Sequence, residues 1–364
     1  MSLYRNVMNI LAIESSCDDT SVALLNFSDT QVKILAEKTA SQIEIHKKYG
    51  GVVPEVAGRT HAENIIPLIE EIMEGQKKPD AIAVTAGPGL ITGLIVGVEA
   101  AKTLSYLWDI PLIPVNHIEG HLHSVFLHPD QSFSKIAFPI LCLTVSGGHT
   151  EIILMKNHGV YEKIGGTRDD AAGECFDKVA KMLDLSYPGG PKISKLGKDG
   201  NPDAIPFPRP MKDTPDFDFS FSGLKTSALY WLRDNKLSAA HINLSALPVG
   251  IFAEPQNPPT LEDFCASFEG AIVDVLTHKM LRAIERYQPK TVFLVGGVSA
   301  NKRLRETLEK KIKQYDEALP LYLTPLPYAM DNAAMIGVAA YWKAKNKNFT
   351  SWRDIQANPN WKIT

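Results

Sequence analysis

Cysteine is scarce. Cys17, Cys142, Cys175 and Cys265 are the only four, and no two form a C-x-x-C pair. That excludes a zinc ribbon, a thioredoxin-type motif and a disulfide scaffold. Wide, irregular spacing suits reduced thiols in the cytosol. No window approaches the roughly 20 apolar residues of a membrane span. The apolar stretch near the start is too short for a secretory signal. A soluble, cytoplasmic protein with no membrane contact is therefore expected. Positive charge is not in surplus either: Lys and Arg number 38, Asp and Glu 41, and the net charge is −3. No bulk field announces a nucleic-acid partner, although a local basic face is compatible with that total. What remains is an ordinary globular balance, 45% hydrophobic and 22% charged. Disorder and collagen are excluded as global descriptions, and a chain of 364 residues can bury a sizeable core in two domains or one two-lobed unit.

Short apolar runs alternate with polar turns at the start. Residues 10–13 and 21–25 flank the turn Ser15–Thr20 and read as a hairpin, with 32–36 as a third strand. Val56, Ile65, Leu68, Ile69 and Ile72 recur at helical spacing within 54–74. Residues 81–84 read as a buried strand. Gly87-Pro88-Gly89 then turns into a helix predicted to hold Gly89, Gly93 and Gly97 on one smooth face. The order recurs later: strand 140–145, turn Ser146–Thr150, return strand 151–155. Strand 291–295, turn Gly296–Ala300 and a charged helix from Asn301 follow. This repetition of element order predicts two similar α/β lobes with a cleft between them. Proline-rich loops are expected at 199–216 and 246–260, the second with the look of a surface insertion.

His117-Ile118-Glu119-Gly120-His121 is the sharpest local signal. Spacing of i, i+4 sets both imidazoles on one helix face, as a shared metal needs. The zincin motif needs its glutamate directly after the first histidine. Here Glu119 comes one residue later, and at about 100° per residue it points off the histidine face. A pair of histidines decorating a helix start is an equally good reading of this motif alone. A third ligand is available in Asp331, before the final helix. Its plain alternative role is an N-cap. Two His and one carboxylate suit Fe(II) or Zn(II).

Ser146–Thr150 and Gly296–Asn301 are glycine turns whose backbone N–H groups can bind anions. The plain alternative is that their glycines permit positive φ. Read as matching positions of two lobes, they reinforce each other. Asp177 sits inside a helix next to Phe176, where capping does not explain it, and Tyr187–Pro191 forms a tight turn. Basic residues gather at 192–233 and again at 302–313. They read either as solvated faces or as a polyanion footprint.

In this order the motifs are highly specific. Glu14–Thr20, His117–His121, Ser146–Thr150, Asp169–Lys178, Gly189–Pro191, Gly296–Asn301 and Asp331-Asn332 closely resemble the TsaD family. These are the tRNA adenosine threonylcarbamoyltransferases, formerly called O-sialoglycoprotein endopeptidases. The resemblance runs from about Ile10 to about Lys345, and Asp169–Glu174 is similar to the bacterial or organellar branch. It implies a fold of the actin/Hsp70/sugar-kinase (ASKHA) type. One lobe would hold residues 1–132 and 325–364, the other 133–324. It implies transfer of threonylcarbamoyl from threonylcarbamoyl-AMP to the exocyclic amine of the adenosine beside the anticodon, in tRNAs reading ANN codons.

By the family pattern, one divalent metal, Fe(II) or else Zn(II), sits on His117, His121 and Asp331. The substrate pocket carries over to Thr144, Val145, Ser146, Gly147 and Gly148, to Asp177 and Gly190, to Ser194 and to Asn301. Most bacterial relatives have Asp where this chain has Ser194, so that contact loses its charge. In bacteria a TsaB-like non-catalytic paralogue and a small TsaE-like ATPase are the implied partners; the paralogue's face is expected on residues 54–74. The rival readings are an ATP-dependent phosphotransferase of the same superfamily, a metalloprotease, and a non-catalytic partner subunit.

Overall fold

A computed structural model describes residues 7–128, 132–133, 136–235 and 259–363. The expected insertion at 246–260 lies outside the described residues except for its last two positions. The chain opens with an antiparallel meander, β1 (Met8–Glu14), β2 (Asp19–Phe27) and β3 (Val32–Ser41). Helices α1 (Ile43–His46) and α2 (Pro54–Met73) lead to β4 (Ala81–Gly87), parallel to β1. Helix α3 (Ile91–Trp108) crosses over to β5 (Leu112–Asn116), and α4 (His117–His123) follows directly. The first sheet runs β3-β2-β1-β4-β5.

The plan then repeats. A second meander, β6 (Ile140–Val145), β7 (Thr150–Asn157) and β8 (Val160–Gly166), precedes helices α5 (Ala172–Met182), α6 (Gly190–Leu196), α7 (Ser222–Asp234) and α8 (Leu261–Tyr287). Strand β9 (Thr291–Val295) runs parallel to β6, and α9 (Lys302–Tyr315) crosses to β10 (Leu321–Leu323). The second sheet is β10-β9-β6-β7-β8, the same topology as the first. The predicted duplication of element order is therefore present in both sheets.

Strand alternation explains the layering. On β1, Leu11 and Ile13 face an outer core with α2 and α3, whereas Ile10 and Ala12 face the middle of the molecule. On β6, Leu141 and Leu143 pack outward with α5 and α8, and Ile140 and Cys142 face the same middle layer. That middle layer also takes in Ile118 and Leu122 of α4 and the apolar residues of the last helix, α10 (Ala333–Lys345). The two helices are thus held between the two sheets. Beyond α10 the chain returns to the first sheet, where Thr350 N–H donates to Leu112 and Asn358 N–H to Ala86.

One detail differs from expectation. Gly89 precedes α3, so only Gly93 and Gly97 stand on the helix. A side chain at either would collide with Ser15 in the turn between β1 and β2. Their smoothness seats that turn and, at Gly93, the ring of His61 on α2 as well.

Candidate active site

The end of β5 delivers α4 into the cleft. Asn116 caps it, its side-chain oxygen accepting from Ile118 N–H at 2.9 Å. One helical turn separates His117 from His121, and their rings meet edge to face at 4.7 Å. Asp331 arrives from the other side. It is not the cap of α10: Asn332 takes that role, accepting from Met335 N–H at 2.9 Å and bonding Met330 and Tyr328 carbonyls with its amide. Asp331 is freed to aim inward. Its Oδ1 lies 3.1 Å from His121 Nε2 and 3.5 Å from His117 Nε2. One donor atom from each of the three lies within 4.8 Å of the others.

The donor set fits a divalent metal on a specific observation. Both His121 ring nitrogens are buried without a hydrogen-bond partner, despite the close carboxylate. Such orphans are costly unless something else satisfies them. Two imidazoles and one carboxylate converging in this way suit Fe(II) or Zn(II). The charges agree. Burial disfavours an ionised Asp331, but His117 and His121 outweigh it and hold the carboxyl well below the usual range. Burial likewise opposes a charged His117, yet Asp331 and Glu14 lift its pKa to about 9. Glu119 is turned away, accepting from Tyr161 at 2.9 Å and pairing with Lys343 at 2.8 Å. It does not serve the triad, as its place in the motif predicted.

A supporting shell escaped the sequence reading. Glu14, at the end of β1, is wholly buried. It accepts from Ser16 N–H and Thr85 Oγ1, both at 2.6 Å, and lies 3.1 Å from His117 Nδ1. Ser16 Oγ also reaches that nitrogen at 3.0 Å. The available signal was a carboxylate closing an otherwise apolar strand.

The second lobe faces the triad with Ser146–Thr150. His149 carries its ring to 6.3 Å from that of His117. Burial, then repulsion from His117 and His121, lowers the His149 pKa to about 3, so this ring is neutral. The turn is closed by Ser146 N–H donating to His149 O at 2.8 Å and by Ser146 Oγ accepting from His149 N–H at 3.1 Å. Neither Gly147 nor Gly148 has positive φ. Nothing lies within 4 Å of where a side chain would start at either position. The plain reading of these glycines fails: they leave open space rather than permit a strained backbone. Behind them, buried Thr144 Oγ1 has no partner.

Gly296 is the opposite case. Its φ is +90°, and a Cβ would meet Val145 O at 2.5 Å. It therefore lays the turn 296–301 against the end of β6. Both glycine turns consequently belong to the second sheet and adjoin each other. They are not matching positions of two lobes, as the sequence suggested; the first-lobe counterparts are the turns after β1 and after β4. Gly297 in turn lies against Met330, the residue before Asp331.

Asp177, on α5, accepts from Gly189 N–H at 2.6 Å and also from Gly190. It ties down the turn that opens α6 at Gly190. Burial raises its pKa. Ser194 and Asn301 meet through a residue the sequence reading missed, Glu269 of α8. Ser194 Oγ donates to Glu269 Oε1 at 2.5 Å, and Asn301 Nδ2 reaches the same oxygen at 2.7 Å and Ser194 Oγ at 2.9 Å. Asn301 Oδ1 also caps α9, accepting from Leu304 N–H. A lone acid within the buried run of α8 was the only hint of Glu269.

The chain is similar to known proteins. The model of the family described as TsaD, tRNA N6-adenosine threonylcarbamoyltransferase, matches residues 33–338. A tRNA N6-adenosine threonylcarbamoyltransferase of Halalkalibacterium halodurans is 43% identical over 355 residues, covering 96% of this chain and 95% of that protein. One of Bacillus subtilis is 44% identical over 361 residues, covering 98% and 96%. Among solved structures, HypF of T. kodakarensis superimposes with a TM-score of 0.59 at 13% identity, over 96% of this chain. The chain spans about half of HypF, 49% of its length, and the likeness is one of fold.

Proposed function

The chain belongs to the TsaD family of tRNA N6-adenosine threonylcarbamoyltransferases, and from that membership we propose how its cleft divides the work. The enzyme is an acyltransferase that forms threonylcarbamoyladenosine in tRNA. The donor is threonylcarbamoyl-AMP, and the acceptor is the adenosine beside the anticodon in tRNAs reading ANN codons. The adenosine N6 attacks the carbamoyl carbon and the bond from that carbon to the phosphate oxygen breaks. AMP leaves with the electron pair and N6 gives up a proton. The donor is a mixed anhydride, so its leaving group is already good. The protein's task is orientation, which can supply up to about 7–11 kcal/mol, and stabilisation of developing charge.

His117, His121 and Asp331 would hold one divalent metal, Fe(II) or else Zn(II), which supplies Lewis-acid charge for anionic oxygens. Glu14 and Ser16 orient His117. The open turn Ser146-Gly147-Gly148, with Thr144 and Val145 behind it, receives the acyl and phosphate end of the donor. Gly190, on the turn that Asp177 anchors, borders the adenosine. Ser194, Asn301 and Glu269 offer hydroxyl, amide and carboxylate to the ribose. Glu269 thereby supplies the charge that Ser194 lacks. The lobe boundaries assigned are 1–132 with 325–364, and 133–324. The protease and phosphotransferase readings are not favoured.

Among the described residues no helix is long and apolar enough to cross a membrane, and the cytoplasm is where tRNA and donor meet. A TsaB-like paralogue docks on the exposed apolar residues of α2 and α3, Ile66, Ile91 and Ile95, and a small TsaE-like ATPase joins the pair. One observation carries the whole reading: the turn bearing His149 and the loop bearing Asp331 close on the same two histidines. The test is transfer of labelled threonine to unmodified tRNA, with threonylcarbamoyl-AMP supplied, with and without the partners. Label in tRNA with wild type and none with His117→Ala supports it. No label under any partner combination overturns it.

A further inference from the structure

We propose that tRNA lies along a lysine rim at the mouth of the cleft, made by Lys192, Lys195 and Lys198 with Lys181 and Lys48. The proposal rests on the family's tRNA substrate and adds where that substrate is held. The basic residues of this chain are numerous, but most are already engaged. Arg209 pairs with Asp274 at 3.0 Å, Lys225 with Asp170 at 2.6 Å and Arg233 with Asp234 at 2.6 Å. In the second cluster, Arg303 donates to Ala266 O at 2.9 Å and Arg305 to Thr324 O at 2.7 Å. Lys311 donates to Thr277 at 2.9 Å, and Lys313 pairs with Glu309 at 2.7 Å. Lys302 reaches Glu306 only at 3.6 Å and Lys310 stands exposed, but Arg209, Arg303, Arg305 and Lys311 brace α8 and α9. Those four are poor candidates for a phosphate footprint.

Lys192, Lys195 and Lys198 differ. All three are exposed, and no acid among the described residues pairs with them. They recur every third residue along α6 and the single helical turn that continues it. That spacing lines them up on one face. The row starts two residues after Gly190, where the turn is anchored by Asp177, and passes along the start of α8, against which Gly197 and Gly200 pack.

The rim also crosses the cleft. Lys181, exposed at the end of α5, sets its ammonium beside Gly50 of the other lobe: a Cβ there would lie 3.2 Å from Nζ. Lys48, two residues from Gly50, is exposed as well. Tyr187 Oη donates to Asp18 Oδ2 across the same boundary at 3.4 Å. From Ala172 to Asp199 the acids are Glu174, paired with Lys178, Asp177, held by Gly189, and the exposed Asp184 and Asp199. In a chain whose net charge is −3, five lysines bordering one opening form a local positive field. Lysine contacts to phosphate position a nucleic acid without reading its sequence. The rim therefore orients the tRNA, and the choice of adenosine is left to the pocket.

The experiment measures binding of an unmodified tRNA transcript to the full chain over a series of salt concentrations, with and without the partner proteins. Two triple variants are compared, Lys192→Gln/Lys195→Gln/Lys198→Gln and the corresponding Glu set. The comparator is Lys302→Glu/Lys310→Glu on α9. The Gln triple weakens binding at least tenfold at low salt, and the slope of log K against log salt falls by about 2. The Glu triple weakens it further, and the comparator matches wild type. In the transfer assay KM for tRNA rises while KM for the donor stays put. Wild-type affinity and slope in both triples overturn the rim and leave the activity standing. Equal losses in the comparator also overturn it. A wild type that binds no tRNA at any salt overturns the transferase reading and the rim together.

Discussion

Glu14 Oε2 stands 3.1 Å from Nδ1 of His117, across 103 residues of chain. The same carboxylate already accepts from Ser16 N–H and Thr85 Oγ1. Burial and the Asp331 charge disfavour its ionisation, but His117 and Ser16 overcome that and lower its pKa. An ionised Glu14 calls for a proton on Nδ1, so Nε2, the nitrogen facing Asp331, is the one that would exchange its proton for a metal. Carboxylates behind a ligating histidine set its tautomer and raise its basicity.

Glu14→Gln therefore weakens metal binding about 10–100-fold, read by competition with a chromogenic chelator. The substituted amide also turns a donor toward Ser16 N–H or Thr85 Oγ1. A buried mismatch of that kind costs about 1–3 kcal/mol, seen as a lower urea midpoint. Unchanged metal affinity would remove Glu14 from the site.

Metal removal has a thermal signature. Binding confined to the folded state stabilises it by about 2.7 kcal/mol when free metal is 100 times Kd. Adding Fe(II) anaerobically, or Zn(II), raises the melting temperature of chelator-treated wild type. The same addition to His121→Ala or Asp331→Ala leaves it unmoved. Equal shifts in wild type and variants would place the metal elsewhere.

Two glycines separate backbone strain from substrate space. Gly296→Ala must hold φ of +90° with its Cβ against Val145 O. It loses about 1–3 kcal/mol of stability. Gly148→Ala meets nothing within 4 Å and stays within about 0.5 kcal/mol of wild type. Its Cβ does, however, occupy the space assigned to the donor, so transfer falls at least tenfold. A fully active Gly148→Ala would move the donor away from this turn.

Asp19 gives a pH dependence. Burial, with Asp18 and Asp331 adding to it and Ser41 opposing, raises its pKa from 3.8 to about 7. Between those values the folded state holds a proton that the unfolded state has lost. Stability contributed by the protonated form is complete below 3.8 and is lost as pH rises through about 7. Asp19→Asn abolishes that decline. Urea midpoints of the chelator-treated pair, compared near pH 4.5 and 7.5, read the difference. Parallel pH profiles would show that Asp19 titrates normally.

Much of the architecture was legible in the chain. Strand β6 spans residues 140–145 and β9 spans 291–295, the limits that their apolar runs set. The pairing of His117 with His121 was equally plain, because i, i+4 spacing is a local property of a helix. What local pattern missed is long-range pairing. Glu14 read only as the start of a family motif and Thr85 as the residue after a strand, and Glu269 as one acid in a long helix, until the sheets and α8 brought them to their partners.

The sequence by itself determined the hairpin that opens each sheet, the strand–glycine–helix units that follow, the helix face carrying both histidines, and the motif order that identifies the family. Those depend on residue spacing along a strand or helix, and spacing survives in one dimension. Tertiary structure decided which plain readings gave way. Asn332 caps α10, which frees Asp331 for the triad. The two glycine turns proved to be neighbours in one lobe because β6 and β9 pair side by side. The basic clusters were sorted into braces and an open row by the acids and carbonyls that packing laid beside them. Each outcome depends on which atoms lie within hydrogen-bonding reach across the fold, and separation along the chain does not encode that distance.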